Sequence, residues 1–97
     1  MVKYKLTWVP SPSPWATSQT VKGTVNGSAQ TFLASAPLSV VELDVTFTES
    51  DVVDWFVSSV GENGLSADSV HDSFTASNLS VPAPATGLGH QFVEFVP

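Results

Sequence analysis

Asp51 to Ser66 reads DVVDWFVSSVGENGLS, and the alternation in it decides the fold class. In a strand, successive side chains point to opposite faces. Val53, Trp55, Val57 and Ser59 therefore share one face, and Asp54, Phe56, Ser58 and Val60 share the other. Gly61 to Gly64 then supplies a turn. A run of this kind, bounded by turn residues, predicts a strand with one face given to a core.

The flanking segments repeat the pattern. Tyr4, Leu6 and Trp8 alternate with Lys3, Lys5, Thr7 and Val9, which predicts a strand with an aromatic inner face. PSPSPWATS, from Pro10 to Ser18, breaks it. Proline cannot donate to a ladder and restricts the residue before it, so this is a stiff extended loop carrying Trp15. Gln19 to Val25 and Ala29 to Ala34 are read as two strands joined at Asn26-Gly27, the strongest hairpin dipeptide in the chain. After an interruption at residues 35–39, Val41, Leu43, Val45 and Phe47 alternate with Glu42, Asp44, Thr46 and Thr48.

Past the glycine corner, Val70, Phe74 and Ala76 fall on one parity, with Asp72 as a polar exception, and His71, Ser73 and Thr75 fall on the other. A helix beginning at Ser66 competes with a strand here, because SADS could cap it. Residues 80–89 read as a proline- and glycine-punctuated linker, and His90 to Pro97 as a terminal strand. In that strand His90, Phe92, Glu94 and Val96 share one parity.

Ninety-seven residues make one domain with a thin core. Short strands and frequent turn signals predict an all-β antiparallel sandwich of about seven strands. Its two inner faces are expected from Leu6, Trp8, Val41, Leu43, Val45, Phe47, Val53, Trp55 and Val57. Three lysines, no arginine and nine carboxylates give a formal charge of -6, which argues against a nucleic-acid partner. With no cysteine, neither a disulfide nor a thiolate metal site is available. The lysine-bearing start lacks an apolar h-region and no long apolar run follows, so neither a secretory signal nor a membrane span is expected.

On these residues the chain resembles the fibronectin type III family, an immunoglobulin-like sandwich. Leu6-Thr7-Trp8-Val9-Pro10 is similar to the family's second strand, with its buried tryptophan and the proline-rich loop after it. Val53, Trp55, Val57 and Ser59, followed by Gly64 and Ser66, resemble its sixth strand and glycine-serine turn. Val53 stands where the family usually has a tyrosine, so the tyrosine corner is missing. The resemblance begins at the second strand, and PAPATGLG at residues 82–89 resembles the entry to a first strand placed last. The terminal run would then close the sandwich, either within the chain as a permutation or by exchange into a neighbouring copy. The resemblance implies no chemistry and no cofactor. It implies spacer, adhesion and protein-binding roles, and a chain that opens on its own Met1 suits an accessory subunit of a virion or an extracellular appendage.

Read residue by residue, the sequence holds no catalytic motif. His71 and His90 could bind zinc only with a further donor such as Asp72 or Glu94, and otherwise are solvent-facing strand residues. Glu49, Asp51 and Asp54 could hold calcium, or simply cap an acidic turn. There is no GxSxG elbow. More informative are apolar residues that the alternation turns outward: Phe56 and Val60 on the central strand, with Val9 and Trp15 around the proline loop. Either the loop or the terminal segment folds over them, or they form a surface for a protein partner or self-assembly. A glycan is the alternative ligand, held by Trp15 with Phe56, Asn63 or Asn26.

Overall fold

The computed structural model describes residues 1–62, 64–76 and 88–96, and the linker expected from residue 80 lies outside them except for its last two residues. Eight strands are present: β1 (Val2–Trp8), β2 (Ala16–Val25), β3 (Ser28–Ala36), β4 (Glu42–Phe47), β5 (Val52–Gly61), β6 (Ser66–Asp68), β7 (Asp72–Thr75) and β8 (Leu88–Phe95). They form two antiparallel sheets. One has the order β4-β1-β8, and the other the order β3-β2-β5 with β6 and β7 both on the far edge of β5.

The strand beyond the seven expected is β6, which pairs with residues 58–60 of β5 where a helix from Ser66 was the competing reading. β7 pairs with residues 52–55 of the same strand. The link between them is clamped to Val57, whose carbonyl accepts from Ser69 N and whose N–H donates to Ser69 Oγ. Ser69 therefore holds the kink that hands β5's edge from one short strand to the next.

The hairpin from β2 to β3 turns at Asn26 (φ 53°) and Gly27 (φ 84°), both left-handed as a two-residue turn of this type demands. β2 is unbroken through Gly23, and the reason is close backbone approach. A Cβ at Gly23 would lie 2.0 Å from the Asp54 carbonyl oxygen and 2.6 Å from Trp55 Cα. Only glycine lets β2 run this near β5, directly beneath Trp55.

The sheets face each other across one core. Trp8 and Trp55 meet edge to face at 6.1 Å, Tyr4 stacks on Phe74 at 4.7 Å, and Phe47 packs edge-on against Phe32 at 6.0 Å. Leu6, Trp8, Phe47, Val53, Trp55 and Val57 are buried as expected, and Leu43 and Val45 are partly buried against them. Val41 is a correction: it is 43% exposed. β4 starts one residue later, Val41 spends its carbonyl on Trp8 N, and Val40 packs on the core in its stead.

His90, expected to face solvent, is buried, and so are Asp72, the polar exception on an apolar parity, and Gln19. The single parity expected for His90, Phe92 and Glu94 is split by a bulge at Val93, since Tyr4 pairs with Phe92 but Lys3 with Glu94. The bulge lets Phe92 pack on the core while Glu94 reaches Lys3 Nζ at 3.0 Å outside. β8 pairs with β1 of the same chain throughout. Among the described residues, no helix is long and apolar enough to cross a membrane.

Candidate functional site

The buried polar groups are spent on holding the core together. Trp8 Nε1 donates to Gln19 Oε1 at 3.1 Å, and Gln19 Nε2 donates to the carbonyls of Pro37 (2.9 Å) and Val40 (2.6 Å). One amide thus ties β1 and β2 to the crossover that leads into β4. Trp55 Nε1 donates to Asp72 Oδ2 at 2.8 Å, and the same oxygen accepts from His90 Nδ1 at 2.8 Å. The His90 ring stacks on Phe74 at 4.0 Å, and its Nε2 has no partner among the described residues. His90 is therefore an inter-sheet tie between β7 and β8, where the sequence suggested a solvent-facing residue.

The acidic corner is also committed locally. Asp51 Oδ1 accepts from Asn26 Nδ2 and Oδ2 from Thr48 N, both at 2.9 Å, while Asn26 Oδ1 accepts from Val52 N. Asp54 accepts from His71 Nδ1 and from Ser73 Oγ. Among the described residues, no group of three metal-ligating side chains converges, so Glu49, Asp51 and Asp54 do not assemble as a calcium cage. In the Ser73–Asp54–His71 cluster the carboxylate stands in the middle. A nucleophile-activating arrangement needs the imidazole there, so the ring is not placed to take the serine's proton.

The outward apolar residues divide between two places. At one end of the molecule the loop after β1 meets the turn after β5. Trp15, Val60 and Leu65 line a cavity of about 210 Å³, and Val9, Pro10 and Pro12 line a neighbouring one that shares Ser11, Ser59 and Ala67 with it. Val9, Trp15 and Leu65 are 73, 70 and 71% exposed, so neither the loop nor the terminal strand covers them. The backbone of Trp15 and Leu65 is fixed: Glu62 N donates to the Trp15 carbonyl, Gly61 N to Leu65, and Ala16 N to Ser13. Leu65 was not singled out in the sequence, because a leucine in a glycine turn gives no periodic signal.

Phe56 belongs elsewhere. It lies on the outer face of the five-stranded sheet, stacked on His71 at 4.4 Å, with Lys22 Nζ 5.6 Å from its ring centre. Register explains the grouping, because Lys22 pairs with Phe56 and with Thr31, while Thr24 pairs with Asp54 and with Ala29. Two cross-strand rows result: a tall one of Lys22, Phe56 and His71, and a low one of Ala29, Thr24 and Asp54. Between them lies an open trough of about 390 Å³. Trp15 and Phe56 line different cavities, and Asn26 is bound to Asp51, so the glycan set expected from the sequence does not assemble. Asn63 lies outside the described residues.

Fold and surface together define an all-β chain of two antiparallel sheets with an apolar loop end and a polar trough on one sheet face. No family model matches the sequence, and comparison with curated proteins and with solved structures returns no match.

Proposed function

We propose that this chain is a non-enzymatic structural or interaction module that engages a protein partner, or further copies of itself, through the end formed by residues 9–15 and 61–67. The observation carrying the reading is the placement of three large apolar side chains, Val9, Trp15 and Leu65, each more than two-thirds exposed, with the Trp15 and Leu65 carbonyls held by hydrogen bonds from Glu62 N and Gly61 N. A fixed anchor loses little conformational entropy on docking, which favours binding over mere exposure.

The fibronectin type III reading is supported by strand order. If β1 to β5 stand for the family's second to sixth strands, β8 takes the first strand's place beside β1, and residues 9–15 and 61–67 become the paired loops at one pole. Placement on a virion or an extracellular appendage extends that reading by family usage.

Sedimentation and thermal melting of the wild type and Trp15→Ala test the contact surface. The expected result is weakened assembly at an unchanged melting temperature. Undiminished assembly with a large fall in melting temperature would make Trp15 a structural residue and end the proposal. Truncation at Ala85 tests the role of β8, because it removes Leu88 and His90 from the core. A stable, unchanged monomer would remove the permuted-strand reading.

A further inference from the structure

We propose that the trough beside Phe56 is a binding site for a pyranose sugar, separate from the apolar loop end and independent of its role. Its volume of about 390 Å³ lies within the range of small-ligand sites. The walls are chemically mixed: Phe56 offers an apolar ring, Lys22 an ammonium, Asp54 a carboxylate, and Thr24, Gln30 and Thr31 uncharged polar groups. One cation facing one anion selects neither sign, so a neutral ligand rich in both donors and acceptors fits better than a phosphate chain or a fatty acid. A pyranose has that rim, and it also has a C–H face that an aromatic ring can cover.

The acceptor and the ring are both held in advance. A carboxylate has about four lone-pair positions. His71 and Ser73 occupy two on Asp54, which fixes its plane and leaves two for ligand hydroxyls. His71 also backs the Phe56 ring at 4.4 Å. The third group moves: Lys22 Nζ, 5.6 Å from the ring centre, must swing away on ligand entry and donate to a ligand oxygen. Lys3 and Lys5 already pair with Glu94 and Glu42 on the other sheet, whereas Lys22 borders the trough.

The test is a titration of the nitrogen-15-labelled full chain with glucose, galactose, mannose and N-acetylglucosamine as methyl glycosides, with cyclohexanol as control. The expected result is a saturable amide shift for at least one sugar, centred on Lys22, Thr24, Phe56 and His71 and absent with cyclohexanol. Phe56→Ala and Asp54→Asn should each weaken that sugar about tenfold or more, equivalent to about 1.4 kcal/mol. Should Phe56→Ala disturb the fold, Lys22→Met on the exposed rim serves instead, with the same loss expected. Trp15→Ala should bind as wild type does, so loss of the loop-end contact and loss of the sugar are read separately. No saturable shift with any of the four sugars, shifts confined to residues 9–15 and 61–67, equal shifts with cyclohexanol, or undiminished binding in the variants would each overturn the proposal.

Discussion

Trp8 and Trp55 touch edge to face in the same core, yet their indole N–H groups are satisfied in opposite ways. Trp8 donates to the neutral amide of Gln19, whose other bonds run to main-chain carbonyls in the crossover before β4. Trp55 donates to the carboxylate of Asp72, whose second bond runs to a side chain on the last strand. A neutral hub fails gently, because each group it leaves behind is uncharged. A carboxylate hub is vulnerable at both ends: losing a donor leaves its charge short of hydrogen bonds in a buried site, and losing the carboxylate leaves two buried donors on different strands without an acceptor. Half of this core is therefore ordinary packing, and the half beneath β7 and β8 depends on a matched pair.

Asp72→Ala gives the largest expected effect, a loss of about 3–5 kcal/mol in chemical denaturation, because two buried donors, His90 Nδ1 and Trp55 Nε1, lose their acceptor at once. A loss no larger than that of Gln19→Ala would erase the contrast between the two hubs. Gly23→Ala follows at about 3 kcal/mol, since the added carbon meets backbone under Trp55 and the strands must part. Gln19→Ala is expected near 2 kcal/mol, with the change in amide exchange concentrated around Val40. Trp15→Ala, on the outside, should stay within about 0.5 kcal/mol. The smallest effect concerns Lys3, whose ammonium is held above its ordinary value by the hydrogen bond and charge of Glu94. A raised lysine stabilises the fold below its unfolded value of 10.5 and loses that contribution as pH climbs through the elevated one. Glu94→Gln should flatten this alkaline limb by slightly lowering stability at neutral pH while leaving it unchanged above the elevated value.

Alternation made most of the β scaffold legible. Val53, Trp55 and Val57 face inward as their parity required, and Asn26-Gly27 turns where its conformational freedom predicted. What parity could not supply was position in the third dimension. Gln19 carries no signal of burial, Asp72 is an exception on an apolar parity and His90 reads as solvent-facing until the strands are laid together, because a polar side chain facing inward is stable only with partners distant in sequence. Val41 fits the pattern of β4 but precedes its first residue, and the phase of an alternation does not say where a ladder begins. Val93 shows the complementary case, a single extra residue that reverses which faces its neighbours present. The candidate surface was half readable: Trp15, Val9, Val60 and Phe56 were visible as misplaced apolar residues, but their separation into a loop end and a sheet-face trough required the cross-strand register.

Met1 N donates to the Val96 carbonyl at 2.9 Å, and Val96 N returns a bond to Met1 at 2.6 Å. β1 leads away from that junction to Trp8, so the junction sits about 20 Å, the length of six strand steps, from the loop that carries Trp15. An affinity handle or a fused fluorophore joined ahead of Met1 would leave from that corner. Tethered there to a sensor surface, the molecule would stand with Trp15 and Leu65 facing the flowing sample.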